Sequence, residues 1–296
     1  MNPTLRAHLA LLTVALIYGA NYSIAKVVLN GGYIGPLGFI ILRVVGASLL
    51  FLMVYRIYIW EAIQPRDYFR LLLCSFFGVV LNQTFFFSGL KLTTPINASL
   101  IMTTTPILVL LLSVLIIKER LTFQKLLGVA LGATGAVLLI SYGQEIQFGK
   151  EQRLGNIMIL VNALSYGAYL VLIKKLMDRY HPITIVTWIF ILGIIGVVPL
   201  GYRELLQVDW SSFGPIIWAA VAYVIICTTF LAYLLNASAL QQVNPSVVSI
   251  YIYLQPVIAA LISLLLQQDQ LNWIKLLSGG LIFVGVYFVS VRKRPN

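Results

Sequence analysis

The chain has 296 residues, of which 60% are hydrophobic and 10% are charged, and its mean hydropathy is +0.95. A soluble globular domain carries about 25% charged residues, so this chain has too few polar side chains to cover a water-facing surface. The net charge of +11 does not indicate nucleic-acid binding, because the basic residues lie at the ends of apolar segments and form no stripe with interleaved aromatic residues. The composition therefore predicts an integral membrane protein.

Ten segments are long and apolar enough to cross a bilayer, which takes about 20 residues of α-helix. They are predicted at residues 8–29, 36–58, 70–90, 97–117, 124–142, 155–175, 184–202, 214–235, 246–266 and 273–291. We call them the first to the tenth span. The predicted fold class is an all-α integral membrane protein with ten transmembrane helices.

Lysine and arginine are unevenly distributed between the two sides of the predicted bilayer. If the N-terminus is cytoplasmic, the cytoplasmic side holds 13 of these residues and the other side holds six, while Arg43 lies inside the second span. An excess of basic residues on the cytoplasmic side is the positive-inside rule. The bias predicts that both termini are cytoplasmic, although the turn between the eighth and ninth spans has no basic residue.

The second half of the chain aligns with the first. Shifts of 148 or 150 residues superpose Tyr18-Gly19-Ala20 on Tyr166-Gly167-Ala168, Pro95 on Pro245, Pro106 on Pro256, and Gly135 on Gly285. We therefore predict two five-helix repeats, at residues 1–142 and 155–296, joined by a polar connecting loop at 143–154. Because five is odd, the second repeat enters the membrane from the opposite side, and inverted repeats are a common basis of alternating access in transporters.

The fourth and ninth spans each contain a pair of prolines. The first member, Pro95 or Pro245, fits the start of a helix, where a missing N–H has no cost. The second member, Pro106 or Pro256, lies inside the span and frees a carbonyl about one turn earlier. Freed backbone groups need a partner in hydrocarbon, and the hydroxyls at 103–105 can supply one. The kinks either shape packing alone or line a cavity, and both alternatives stay open.

Several short motifs have the order and spacing that one transporter family shows. They are Tyr18-Gly19-Ala20-Asn21-Tyr22 and Lys26 in the first span, Arg43 in the second, Lys118-Glu119-Arg120-Leu121 after the fourth, and a glycine-rich fifth span. With these motifs, the proline pairs and the duplication, the chain resembles the ten-span members of the drug/metabolite transporter superfamily, which are built from two EamA-type domains. The resemblance covers nearly the whole chain.

The resemblance implies a carrier in the cytoplasmic (inner) membrane, often an exporter, for small metabolites such as amino acids. It also implies a central cavity lined mainly by the first, third, fourth, sixth, eighth and ninth spans. The second repeat departs from the pattern, since Asp269-Gln270 replaces the Glu119-Arg120 pair and Arg43 has no counterpart there.

Acidic residues are confined to the ends of the predicted spans and the loops. Charges inside a membrane are costly and usually functional, so the lack of a carboxylate in mid-span is informative. A carrier of lipophilic cations usually needs a buried anion, and carboxylate-based proton coupling needs a buried acid. We therefore expect a cavity that prefers neutral, zwitterionic or mildly anionic solutes.

Polar and aromatic side chains on several spans are the candidate substrate-binding residues. For any one of them, an interhelical hydrogen bond worth about 0.6 kcal/mol is the simpler interpretation, but as a set they predict a polar and aromatic cavity. The set is Tyr18, Asn21, Asn82, Gln83, Phe86, Asn97, Thr104, Thr105, Asn162, Tyr166, Tyr169, Asn236, Tyr251 and Gln255.

Structural or gating roles are predicted for Pro106, Pro256, Arg43 and Glu119. A guanidinium can form a bidentate pair with a substrate carboxylate. The alternative for Arg43 is that it pairs with helix-end carbonyls or loop carboxylates, or extends to the membrane interface. The small residues of the fifth and tenth spans predict that these two helices pack closely as scaffold.

These features predict a secondary transporter, in particular an exporter of small polar metabolites such as amino acids, that works by alternating access. The alternative is a flippase for a lipid-linked sugar or another amphiphile. An intramembrane enzyme is disfavoured, because His8 and His181 are predicted outside the spans and catalytic motifs are absent. We predict no cofactor, metal or nucleic-acid partner. The expected partners are a small-molecule substrate and the lipid bilayer, and the expected state is a monomer, with a dimer as the alternative.

Overall fold

The computed structural model describes residues 2–59, 61–142, 150–265 and 272–290. Within these ranges the chain forms fourteen α-helices, joined in places by short π- or 3₁₀-helical turns, and no β-strand. The α-helices are α1 (Pro3–Asn30), α2 (Pro36–Tyr58), α3 (Tyr68–Ser75), α4 (Asn82–Leu92), α5 (Pro95–Met102), α6 (Thr105–Ile117), α7 (Phe123–Ser141), α8 (Lys150–Met177), α9 (Pro182–Leu206), α10 (Pro215–Tyr223), α11 (Ala232–Gln242), α12 (Pro245–Ile250), α13 (Leu254–Leu265) and α14 (Trp273–Ser290).

Nine helical stretches of the described chain are long and apolar enough to cross a membrane. Part of the predicted ninth span, at 246–266, lies in a shorter apolar stretch, Pro245–Ile258. Large apolar side chains face outward on these helices, such as Leu115, Ile195 and Ile216, each at least 70% exposed. The chain is therefore a multi-pass α-helical membrane protein, while the count of ten spans stays a prediction.

Two predicted boundaries are wrong. The first helix begins at Pro3, because Pro3 suits the first helical position and the Asn2 side chain accepts a hydrogen bond from the N–H of Thr4. This extension places His8 inside α1, not outside the spans. At the predicted connecting loop 143–154, residues 150–154 are the first turns of α8, and residues 143–149 lie outside the described residues.

The third and eighth spans each contain a wide π-helical stretch, Phe76–Leu81 between α3 and α4 and Val224–Leu231 between α10 and α11. The second stretch begins 148 residues after the first, so the irregularity recurs in the register of the duplication. Wide turns leave backbone carbonyls available to side chains. The Tyr233 hydroxyl, for example, donates to the Gly78 carbonyl at 2.7 Å.

The fourth and ninth spans are both interrupted. The break in the fourth falls between α5 and α6, and in the ninth a 3₁₀ turn, Tyr251–Tyr253, separates α12 from α13. The Thr103 hydroxyl donates to the Leu100 carbonyl at 2.6 Å, and the Thr104 hydroxyl donates to the Ile101 carbonyl at 2.7 Å. The Thr103 and Thr104 hydroxyls thus bond carbonyls in the last turn of α5, just before the interruption.

Helices from the two halves pack against each other. The pairs include α2 with α9, α7 with α14, α4 with α8, and α1 with α11 and α13. Between α7 and α14, a Cβ on Gly128 would lie 2.7 Å from the Gly285 carbonyl oxygen, so the two backbones are in contact there and the predicted close packing is confirmed. At the start of α2, the Glu204 carboxylate accepts the N–H groups of Leu37 and Gly38 at 2.8 and 3.0 Å, which suits a helix N-terminus.

Candidate substrate cavity

A cavity lies between the two halves of the helix bundle. Its empty volume is about 790 Å³, including the part that opens outward. Its walls come from α1, α2, α4, α5, α8, α11, α12, the 3₁₀ turn and α13. Ten of the predicted substrate-binding residues line it: Tyr18, Asn21, Asn82, Gln83, Phe86, Asn162, Tyr166, Asn236, Tyr251 and Gln255.

Four predicted site residues do not line this cavity. Tyr169 is 1% exposed and packs against Gly78, where a Cβ would lie 2.3 Å from its ring. Thr104 turns its hydroxyl to a backbone carbonyl, and Thr105 is fully buried. Asn97 is 3% exposed near the start of α5. The fourth span contributes Met102 instead, the last residue of α5.

Several lining residues are absent from the predicted set. The polar one is Tyr233, and its position three residues before Asn236 places both on one helix face. Leu11, Val14 and Ala15 line the cavity from the face of α1 that carries Tyr18. The helical periodicity of the first span could therefore have predicted these three residues from the position of Tyr18. Further apolar contributions come from Phe87, Met102, Val248 and Ile252.

Amide groups on three helices are buried in this wall without a partner among the described residues. The orphaned atoms are Oδ1 of Asn21, both amide atoms of Gln83, and Oδ1 of Asn162. The orientation of Asn162 is determined by its own Nδ2, which donates to the Asn82 carbonyl at 2.8 Å, so its oxygen is the free acceptor. Because an unpaired buried polar group costs about 1–3 kcal/mol, these atoms are suited to a polar ligand or to water.

Arg43 also lines the cavity and is 5% exposed. Its Nε and Nη2 both donate to the Thr229 hydroxyl oxygen, at 3.1 and 3.0 Å. The guanidinium carbon lies 4.4 Å from the centroid of the Phe87 ring, a cation–π arrangement. Among the described residues, Arg43 is thus held in the cavity wall by a hydroxyl of the eighth span, and not by a helix-end carbonyl or a loop carboxylate as the alternative interpretation expected.

The other predicted structural residues lie outside the cavity wall. Glu119 is buried beyond the end of α6 and accepts hydrogen bonds from the Lys125 ammonium at 2.6 Å and from the Ser246 hydroxyl. It therefore connects the turn before α7 to the first turn of α12. Pro106 is in the first turn of α6 and Pro256 is in the first turn of α13. Each proline therefore lies at the start of the helix that follows an interruption.

Two segments of the chain, residues 5–141 and 153–291, match the model of the EamA-like transporter family. A protein of Archaeoglobus fulgidus named an uncharacterized transporter is 26% identical over 290 residues, which are 97% of this chain and 98% of that protein. The uncharacterized transporter YetK of Bacillus subtilis is 25% identical, and the match covers 97% of this chain and 88% of YetK.

Similarity extends to a plant protein and to a solved structure. The protein WALLS ARE THIN 1 of Arabidopsis thaliana is 23% identical, and the match covers 98% of this chain and 83% of the plant protein. A protein of known crystal structure superposes with a TM-score of 0.78, covering 96% of this chain and 98% of its own. At 18% sequence identity, that likeness concerns the fold alone.

Proposed function

Since this chain belongs to the EamA-like transporter family, we propose that it is a secondary carrier that exports small polar metabolites, amino acids among them. Its relatives are named transporters, so the chain is a membrane transport protein rather than an enzyme. The proposed mechanism is alternating exposure of the central cavity to the two sides of the membrane.

The observation that carries the proposal is the set of unpaired amides of Asn21, Gln83 and Asn162 in the cavity wall. In a protein that faces lipid, an unsatisfied polar group is tolerated where it lines a hydrated or ligand-filled space. Tyrosine rings and apolar side chains line the same cavity as these amides. A small solute with both polar and apolar parts suits this mixture.

Alternating access draws support from the recurrence of irregular elements. Each half has a π-helical stretch in its third span and an interruption in its fourth span. The helix pairs α2–α9 and α7–α14 join equivalent spans of the two proposed repeats, 1–142 and 155–296. We propose that these repeats are inverted and rock against each other around the cavity, with Pro106 and Pro256 near the bending points.

The distribution of basic residues supports an orientation in the cytoplasmic (inner) membrane with both termini in the cytoplasm. This topology places the Glu119–Ser246 contact on the cytoplasmic side. A monomer encloses the described cavity within one chain, so we propose the monomer as the working unit.

Transport assays on purified protein in liposomes test the function. Gln83→Ala and Gln255→Ala should each lower the initial rate of labelled amino-acid flux by roughly tenfold, because each removes an amide from the wall. Gln207→Ala, at an exposed site beyond the end of α9, is the matched control and should retain the wild-type rate. Redistribution of a lipid-linked sugar without amino-acid flux would favour a flippase, and unchanged rates for both cavity variants would remove the site assignment.

A further inference from the structure

The cavity contains a buried positive charge without a negative partner. Arg43 forms no ion pair with an aspartate or glutamate among the residues that the structure describes. An arginine side chain stays protonated in proteins, so the charge remains when the cavity is empty. The polar groups around it are amides and tyrosine hydroxyls, and the cavity as a whole is positive.

The surroundings of Arg43 hold the guanidinium without neutralising it. The Thr229 hydroxyl receives two of its N–H groups and itself donates to the Val224 carbonyl at 2.7 Å. That carbonyl belongs to the π-helical stretch of the eighth span. The Phe87 ring covers one side of the cation. Two of the five N–H groups of the guanidinium are thus used, and three have no partner among the described residues.

We infer that Arg43 binds the carboxylate of the transported solute and makes the cavity selective for carboxylic acids. This inference rests on the proposed carrier function and adds the chemical class of its substrate. A guanidinium offers paired N–H donors that match the two oxygens of a carboxylate. Binding of a monoanion would bring the charge of the cavity to neutrality.

The unpaired amide oxygens of the cavity wall indicate which further functional groups the solute carries. Asn162 Oδ1 and Asn21 Oδ1 accept hydrogen bonds and have no donor in the described protein, so they suit an amino or hydroxyl group on the solute. Phe86, Met102 and Val248 supply apolar surface. The fitting class is an amino or hydroxy acid with an apolar body, whereas an amine without a carboxylate meets an uncompensated positive charge.

Four probes that share one aromatic body separate the possibilities by isothermal titration of the purified protein. They are L-phenylalanine, 3-phenylpropanoate, 2-phenylethylamine and phenyl phosphate. Wild-type protein should bind the two carboxylates, and Arg43→Gln should weaken both by roughly ten- to a hundredfold, the usual range for a charge-assisted hydrogen bond. Arg43→Lys should retain part of the affinity because it keeps the charge but not the paired geometry.

Two further variants test whether a loss of binding comes from the missing charge of Arg43 or from a disturbed fold. Arg203→Gln removes a positive charge from an exposed helix end and should leave the dissociation constants unchanged. Thr229→Val removes the hydrogen-bond partner of Arg43 and keeps the guanidinium, so 3-phenylpropanoate should still be preferred over 2-phenylethylamine. If Arg43→Gln fails to fold, Arg43→Lys decides the question, since an affinity for 3-phenylpropanoate equal to that of the wild type would overturn the inference.

Equal affinity of wild-type and Arg43→Gln protein for 3-phenylpropanoate would overturn the inference. So would wild-type protein that binds phenyl phosphate or 2-phenylethylamine more tightly than both carboxylates, or that binds neither carboxylate. Transport of a solute in liposomes at the same rate with and without the Arg43 charge would also reject it, while the carrier function would stand. Absence of any metabolite flux would instead reject the carrier function and the inference with it.

Discussion

The imidazole Nδ1 of His8 lies 2.7 Å from the hydroxyl oxygen of Tyr251, and the two rings are stacked with their centroids 6.0 Å apart. This contact joins α1 to the 3₁₀ turn that interrupts the ninth span. Tyr251 lines the cavity, so His8 positions a residue of the cavity wall without lining it.

The hydrogen bond between His8 and Tyr251 predicts non-additive effects of mutation. His8→Ala and Tyr251→Phe should each lower the free energy of unfolding by about 1 kcal/mol from the loss of this bond, apart from the packing lost with the imidazole. The double variant should lose less than the sum of the two, because both changes remove the same interaction. Denaturant unfolding in detergent measures the cycle, and strict additivity would show that the contact contributes nothing.

The contact between α7 and α14 predicts that Gly285 cannot accept a side chain. A Cβ there would lie 2.6 Å from the Gly128 carbonyl oxygen and 2.7 Å from the Gly132 nitrogen, and backbone atoms cannot move aside cheaply. Gly285→Ala should therefore destabilise the protein by about 1–3 kcal/mol. Gly280→Ala is the matched control on the same helix, since a Cβ there meets nothing within 4 Å, and it should be neutral or slightly stabilising. Equal melting temperatures would contradict the packing.

The buried carboxylate of Glu119 predicts a loss of stability when its charge is removed. Its side chain is 2% exposed, and its partner Lys125 is 16% exposed. Glu119→Gln should cost about 1–3 kcal/mol, less than a fully buried pair because solvent screens Lys125. Arg120→Gln changes the exposed neighbouring charge and should stay within about 0.5 kcal/mol of wild type. Thermal unfolding of both variants checks this, and similar losses would show that the Glu119 contacts contribute little.

Tyr180, in the turn between α8 and α9, predicts a pH dependence of stability. Its hydroxyl donates to the Asp67 carboxylate at 2.9 Å and accepts the Gln64 N–H at 3.1 Å. Burial raises the pKa of Tyr180. The stability that it contributes is complete below the unfolded-state pKa of about 10 and is lost as the pH rises through the higher folded-state value.

The wild-type protein should therefore lose stability above about pH 10 more steeply than Tyr180→Phe. Near neutral pH the variant should be less stable by about 1–2 kcal/mol, because two hydrogen bonds are lost. Denaturant unfolding between neutral pH and about pH 11 compares the slopes. Tyr58→Phe, which alters a ring 75% exposed, should follow the wild-type curve. Identical slopes for wild type and Tyr180→Phe would refute the linkage.

The membrane class and the helix positions follow from local sequence. A run of about 20 apolar residues must cross or bury itself wherever it lies in the chain, so composition predicts the helices closely, as for the second span at 36–58. Small-residue runs likewise predict the α7–α14 contact, because only close backbone packing uses them. Most of the polar cavity residues, such as Gln83 and Asn162, are predictable for a similar reason, since lipid cannot accept an amide.

The tertiary structure decided which face of each helix meets the cavity. Tyr169 and Tyr166 are both tyrosines of α8, yet only Tyr166 lines the space, because Tyr169 fills the gap beside Gly78. The partners of Arg43 are Thr229 and Phe87, which lie far from it along the chain. No local sequence pattern predicts these contacts. Hydrophobicity is a property of a segment, whereas exposure to a cavity depends on which neighbouring helices cover a side chain. That covering exists only once the halves have packed together.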